Sequence, residues 1–402
     1  MASDFWPFVK FAKSFKCSDL LLDGEKWKEV RMKLQPDILS PQAAASYLPS
    51  LIKIGIQASE VFPRSASDPH EFTCRVSFDM FSSSMLGKSR GMLSPETAAK
   101  EDHEFIDNSI QCMRSAGALV YSPYETFIEK YHVTDLYKKF EKTTTDVHKR
   151  SYELVQEALK EDLRRTEAQE HSADASYLGN LLRSGLLGRD AAGFEVSNLL
   201  LAAVDTTANY MNWLILNLAR NPEKQRILAE ELKNVLQGGD FSKEVQLPYL
   251  QACYRETHRL TPVQASVYRR LDEDIVLEGY LIPKGTKLSM NTEAIQKDPK
   301  YVDSPEEFLP ERWLAPAVGA RVGTPSEILD HKLLSAPFSF GSRMCLGSRL
   351  AELEIKVLIA RIVQDWEFTM AEDSPKVGKR EFLFLQPFPE PKFSVKKREI
   401  SN

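Results

Sequence analysis

One cysteine, set in a glycine-bearing loop, constrains this 402-residue chain more than any other feature. The segment PFSFGSRMCLG, residues 337–347, holds Phe338, Gly341, Arg343, Cys345 and Gly347 just before an amphipathic stretch that reads as a helix from about Leu346 to Trp366. Five specified positions at roughly 5% usage each arise by chance in a chain of this length about once in 10⁴. The residue types have physical reasons. Gly341 and Gly347 permit positive φ and leave room for a flat ligand to approach the backbone. Cys345 falls at a helix N-terminus, where free N–H groups and the helix dipole favour thiolate over thiol. Arg343, two residues earlier, is placed to meet a ligand carboxylate with a charge-assisted hydrogen bond. The competing reading, a buried structural cysteine in a glycine turn, leaves the spacing unexplained.

The other cysteines argue for treating Cys345 by itself. There are five in all (Cys17, Cys74, Cys112, Cys253 and Cys345), an odd number, scattered and without a CxxC pair. That pattern speaks against a disulfide framework or a zinc ribbon and suits a reducing compartment. A net charge of −5 gives no reason to expect nucleic acid as a partner. No run reaches the ~18 apolar residues of a membrane span. The leader MASDFWPFVKFAKSFKC interleaves five aromatic residues with lysines, and is neither a secretory signal nor an organelle transit peptide by composition. Local packing and a peripheral membrane contact are the two readings of it.

Residues 1 to about 260 read as mostly helical, including 134–170 and a strongly apolar helix over roughly Glu195–Arg220. Asn221 is expected to cap the following helix, with Pro222 at its first position and Gly238-Gly239 as its stop. Pro248 opens a shorter helix that Pro262 closes. From Ala265 to Met290 the pattern turns short, β-branched and bounded by Gly and Pro, which predicts strands. The expected class is therefore mainly α with a minor β portion.

Three further constellations stand upstream of the cysteine loop. Glu256 and Arg259 are three apart on one helix face and can pair; Pro310-Glu-Arg-Trp313 follows. Asp205, Thr206 and Thr207 interrupt the apolar helix, and burying them costs free energy unless they are hydrogen-bonded or used. A mid-helix threonine more often bonds back to its own turn. Trp27 and Arg31 are four apart on a helix face.

Together these resemble the cytochrome P450 family. Residues 338–347 match the heme-binding signature FxxGxRxCxG at every specified position; Glu256–Arg259 matches ExxR, 310–313 matches the second arginine motif, and all stand in family order. The resemblance implies a P450 fold carrying heme b with Cys345 as axial thiolate ligand of the iron. Phe338, Arg343 and Gly347 would line the heme, and Trp27, Arg31 and Arg269 would bind its propionates, with Arg270 the alternative to Arg269. Glu256, Arg259 and Arg312 would form an architectural triad. Asp205 and Thr206 would deliver protons to bound O2. Ala203 stands where the family usually has glycine.

AAVDTTAN, LILNLARNPEKQ, GYLIPKGT and RMCLGSRLAELE resemble the mitochondrial-type branch, the steroid, sterol and vitamin D hydroxylases. The resemblance implies an oxidoreductase, a monooxygenase acting on a lipophilic, sterol-like substrate. A mitochondrial location on the matrix side of the inner membrane and electrons from a ferredoxin go with it. Arg255 and Arg349 match ferredoxin-docking positions, whereas Gln251 and Ser348 stand where basic residues are common. The expected organisation is a leader over 1–23 and a single P450 domain over 24–402, lacking the family's section before the helix of Trp27 and Arg31. Pocket walls are expected from the long helix, the loop 260–267 and the segment 115–127. A peroxide-rearranging enzyme and an inactive heme-binding remnant are the alternatives; the Asp-Thr pair favours monooxygenation.

Overall fold

The computed structural model describes residues 22, 24–94, 96, 98–120, 122, 134–167, 176–236 and 247–399. Helices dominate: α1 (Gly24–Leu34), α2 (Leu48–Val61), α3 (Pro69–Leu86), α4 (Lys100–Val120), α5 (Asp135–Glu167), α6 (Arg189–Arg220), α7 (Pro222–Leu236), α8 (Pro248–Leu260) and α9 (Ser348–Asp365), joined by shorter turns of helix. The expected leader, apart from Leu22, and the Gly238-Gly239 stop lie outside the described residues, as do residues 121 and 123–127 of the expected pocket segment.

Helix α6 is the axis of the molecule. It is buried along most of its length and all round, as a helix enclosed by other helices must be. Helices α3, α4, α5 and α9 pack on it, and Trp213 Nε1 donates to the Leu385 carbonyl at 2.9 Å, tying it to the C-terminal strands. Local punctuation sets the boundaries. In α3, Asp68 accepts from the Glu71 N–H at 3.1 Å, Pro69 occupies the first turn, and Gly87 ends the helix at φ +78°. Close approach also dictates one glycine in α4: a Cβ on Gly117 would lie 2.3 Å from the backbone carbon of Phe382.

Pro248 opens α8 as expected, and its C-cap, Thr261, stands directly before Pro262, the residue expected to close it. Asn221 stands at the N-cap position of α7 before Pro222, as expected, and its carbonyl accepts from the Lys224 and Gln225 N–H groups at 3.0 and 3.1 Å. Its side chain also serves the preceding helix: Nδ2 donates to the Asn217 carbonyl at 2.7 Å, one of the orphan carbonyls at the end of α6.

The β portion forms antiparallel two-stranded sheets: β1 (Ser266–Arg270) with β4 (Lys287–Asn291), β2 (Ile275–Leu277) with β3 (Tyr280–Ile282), β5 (Trp366–Met370) with β8 (Phe393–Lys397), and β6 (Gly378–Glu381) with β7 (Leu385–Phe388). Glu278 and Gly279, both at positive φ (50° and 82°), make the β2–β3 hairpin turn. Mainly α with a minor β portion is the class observed. Among the described residues no helix is long and apolar enough to cross a membrane.

Candidate active site

The cysteine loop is a folded-back turn whose own backbone holds the thiol in place. The Cys345 N–H donates to the Phe338 carbonyl at 3.0 Å and the Met344 N–H to the Gly341 carbonyl at 3.1 Å. Gly341 takes φ +82°, which a side chain would resist. Gly347, expected to need the same freedom, has φ −82° and is the N-cap residue of α9. Its Cβ would meet nothing within 4 Å, so its contribution is open space beside the cavity. Because α9 starts at Ser348, Cys345 stands two residues before the cap. Of the four cysteines among the described residues, Cys345 alone is exposed. Burial pushes the thiols of Cys74 and Cys253 well above the ordinary range, and that of Cys112 up to about 12.

The thiol opens into a cavity of about 250 Å³ between α1, α6, α9 and the loop. Trp27 and Arg31 reach one side of it from α1, with Phe338 and Arg343 from the loop. The Arg343 guanidinium stacks 3.8 Å over the Trp27 ring and donates to the Leu22 carbonyl at 3.0 Å. Arg31 Nη2 donates to the Met344 carbonyl at 2.8 Å, fastening α1 to the loop. Two cations and an indole thus stand together on the loop side of the cavity, although more than 300 residues separate them in sequence.

The opposite wall is α6, through Leu199, Ala202, Ala203, Thr206 and Thr207. The Thr206 hydroxyl donates to the carbonyls of Ala202 (2.9 Å) and Ala203 (3.2 Å) in its own turn. Asp205 is not among the cavity's lining residues. At 3.6 residues per turn it lies roughly 130° round the helix from the centre of the wall formed by 202, 203, 206 and 207. Its carboxyl points into the packing between helices, where burial pushes its pKa up to about 7, opposed by the Arg114 guanidinium and by a hydrogen bond from Asn209.

Away from the cavity, the fully buried Glu256 is the hub of a polar cluster. Arg259 donates to it from Nε (3.0 Å) and Nη2 (2.8 Å). Arg312 Nε (3.1 Å), Trp313 Nε1 (2.8 Å) and the Leu309 N–H (3.0 Å) complete the shell. Arg259 spends its remaining donors on the carbonyls of Gln296, Pro305 and Glu307. One carboxylate serves two guanidiniums, and backbone carbonyls take the arginines' remaining donors, so every charged group is hydrogen-bonded, the condition under which a buried ion cluster is tolerable. It clamps α8 to the irregular segment that leads into the cysteine loop.

Comparison with known proteins agrees with this architecture. The family model for cytochrome P450 matches residues 3–395. The chain belongs to the cytochrome P450 family. Relatives include a probable cytochrome P450 12c1, mitochondrial, of Drosophila melanogaster, 29% identical over 93% of this chain and 72% of the relative. Human sterol 26-hydroxylase, mitochondrial, is 28% identical over 91% of this chain and 70% of its own length. The 1,25-dihydroxyvitamin D(3) 24-hydroxylase, mitochondrial, of Rattus norvegicus is 27% identical over 89% and 67%. This P450 is therefore a monooxygenase of a family whose members bind heme through a cysteine thiolate, and its relatives are of mitochondrial type.

The residues present suit heme. An exposed cysteine sulfur faces an otherwise largely apolar cavity, and two guanidinium groups beside an indole suit the two carboxylates of the macrocycle. The P450's other expected contacts are distributed unevenly. Arg269, half-buried on β1, donates to the neighbouring Tyr268 carbonyl at 2.8 Å and is not among the lining residues. The described parts of the loop 260–267 and of 115–127 do not line the cavity either. Arg349 is exposed, but Arg255 stacks 4.3 Å over Trp313 and sits 3.8 Å from Asp330, so its charge is largely engaged within the fold.

Sequence reasoning missed Glu354, a buried carboxyl lining the cavity from α9, whose pKa burial raises well above the usual carboxylate range. The signal was there: it stands four after Leu350 on the apolar stripe of α9. Phe81, from α3, also lines the cavity and carried no local signal, because only the packing of α3 brings it there.

Proposed function

We propose that Cys345 would hold a heme iron through its thiolate, with the heme between α6 and the cysteine loop, in an enzyme that hydroxylates a lipophilic, sterol-like substrate using O2 and electrons from a ferredoxin. The observation that carries this is that Cys345, the one exposed cysteine among the described residues, stands at a cavity flanked by Arg31, Arg343 and Trp27. Bound there, heme supplies the activation of dioxygen and the insertion of one oxygen atom into a C–H bond. The chain's own part is to hold and dose. Arg31 and Arg343 orient and neutralise the macrocycle's carboxylates. The apolar α6 wall excludes water and packs the substrate. Thr206 presents a hydroxyl on the cavity face, and Asp205, one position round the helix, holds the proton that passes to that side. The sterol-like substrate class and the mitochondrial address are supported by the names of the relatives; the matrix side of the inner membrane is proposed with them. Arg269 spends one of its five donors on the Tyr268 carbonyl and would join the heme set through the others.

The direct test is the absorption spectrum of the ferrous–CO complex, followed by turnover with ferredoxin, ferredoxin reductase and NADPH against a sterol panel. A strongly red-shifted Soret band is expected. An unshifted band removes the thiolate assignment, and full turnover without O2 on organic peroxides favours the rearranging enzyme. Two variants refine the reading. Thr206→Ala leaves the ferrous–CO band unchanged and lowers coupled product formation by about 100-fold, the electrons appearing as hydrogen peroxide; tight coupling would remove the proton-delivery role. Arg349→Glu slows ferredoxin-driven reduction by about tenfold at low ionic strength and much less at high salt, because an exposed charge steers encounter. Reduction by dithionite serves as the control, and equal ferredoxin rates would withdraw Arg349 from the docking surface.

A further inference from the structure

On the side of α6 turned away from the cavity, three side chains of different chemistry converge. His70 and Cys74 are four apart in α3 and share a face; Asp205 meets them from α6, which packs on α3. His70 Nε2 lies 3.8 Å from Cys74 Sγ and 3.7 Å from Asp205 Oδ1, and the three donor atoms all lie within 4.8 Å of one another. All three residues are buried, with Asp205 only 2% exposed. Asp205 Oδ2 accepts from Asn209 Nδ2 at 3.1 Å, but Oδ1, the oxygen turned towards His70, has no hydrogen-bond partner. An unpartnered buried carboxylate oxygen is costly and calls for an explanation.

We propose that His70, Cys74 and Asp205 form a binding site for a soft divalent cation, zinc or cadmium. Imidazole, thiolate and carboxylate are a zinc-type donor set and a poor one for magnesium or calcium. Tetrahedral bonds of about 2.0–2.3 Å set donors about 3.3–3.8 Å apart, and the two separations from His70 Nε2, 3.8 and 3.7 Å, meet that requirement. A water molecule completes the fourth position. The hydrogen bond from Asn209 fixes the carboxylate with its free oxygen aimed at the site, as outer-shell partners of metal ligands do.

Of the surrounding groups, Asp68, the exposed N-cap of α3, brings negative charge. Glu390, from the C-terminal segment and 3.9 Å from Arg114 of α4, is held up at about 7 by burial and Asp68, so it adds negative charge only as pH rises past that value, and Arg114 opposes both. Cys112, also on α4, is neutral because burial raises its thiol. Burial, reinforced by Asp205, Glu390 and Asp68, keeps the Cys74 thiol protonated. A dication replaces that proton, together with the one Asp205 carries below its pKa of about 7; both pass to solvent, and the cation compensates the thiolate and carboxylate it gathers, so binding strengthens as pH rises. His70 needs no deprotonation, since burial and Arg114 already hold its pKa down at about 4. Occupancy ties up Asp205 and slows oxygen-dependent turnover without touching Cys345. That consequence, unlike the binding itself, rests on the proposed function.

Cadmium titration of the heme-loaded chain tests the site, read by the ultraviolet thiolate-to-cadmium absorption and by metal analysis after gel filtration. The expected result is one cation per chain with an unchanged ferrous–CO band. Cys74→Ala should lose the thiolate absorption, and His70→Gln and Asp205→Asn should each weaken binding by more than about 100-fold, beyond what loss of an outer-shell partner costs. The ferrous–CO band of each variant reports that it is folded. The same absorption and stoichiometry in Cys74→Ala, no cadmium retained by the parent chain, or loss of the red-shifted CO band on adding cadmium would each overturn the proposal. A parent chain that binds cadmium through Cys74 but shows no thiolate-type CO band would instead overturn the heme assignment alone.

Discussion

Cys345→Ser abolishes the red-shifted ferrous–CO band and takes hydroxylation below detection, while the heme-free protein unfolds within about 0.5 kcal/mol of the parent. The stability half of this expectation follows from exposure: Cys345 lies on the surface of a cavity, and a surface substitution that keeps the size of the side chain disturbs little packing. The spectroscopic half follows from chemistry. A serine hydroxyl is too weak an acid to supply the electron-rich axial ligand that a thiolate provides. The CO spectrum and a denaturant titration of the heme-free chain are the two measurements. A thiolate-type spectrum in the variant would mean that another sulfur ligates the iron. Cys74, Cys112 and Cys253, the other cysteines among the described residues, are fully buried and poor candidates.

The second large effect is structural. Glu256→Gln is expected to cost about 3–5 kcal/mol, because it removes the charge that compensates two arginines in a fully buried site. Against a total stability of about 5–15 kcal/mol for a folded protein, that is enough to deplete the native state and heme incorporation together. The change keeps the side chain's volume, so the loss reads the charge and the hydrogen bonds rather than a cavity. The amide NH2 also faces donors that all point inwards, at Arg259, Arg312 and Trp313, which adds repulsion to the lost attraction. Yield of heme-loaded protein and the urea midpoint measure it. A variant of unchanged midpoint would show that the cluster is dispensable, and that the segment 305–313 is held to α8 by packing alone.

Much of the site was legible in the sequence where function depends on spacing within one element. The loop 337–347 specifies its turn and its reactive thiol through Gly341 and Cys345, and the five fixed positions need no knowledge of the rest of the chain. The Glu256–Arg259 pair and the Trp27–Arg31 pair follow from helical periodicity in the same way. Proline placed the boundaries of α8, and glycine and proline marked 265–290 as strands, while the turn at Glu278-Gly279 that divides 275–282 into β2 and β3 came from the structure. The expectations that required correction share a different character. Asn221 stands at the start of α7 as expected, but its side-chain amide serves the helix before it, since which orphan group it reaches is settled by the relative orientation of the two helix ends. Gly347 has an ordinary backbone conformation and contributes only the space above it. Arg255 was weighed as a free docking charge, but Trp313, 58 residues on, takes its guanidinium face.

What the sequence by itself determined is the chemistry available: one thiol in a turn before a helix, an acid and a hydroxyl side by side in an apolar helix, and cations at helical spacing. Local geometry sets these, because neighbours in a turn or on a helix face are fixed by backbone periodicity alone. Only the tertiary structure decided which way those groups look. Thr206 faces the cavity while Asp205 faces α3, and that carboxyl finds His70 and Cys74, more than a hundred residues earlier in the chain. Arg343 meets Trp27 from the far end of the molecule. Such meetings depend on how α3, α6 and α9 pack, which is governed by apolar surface summed over whole helices and carries no signature at the residues that meet.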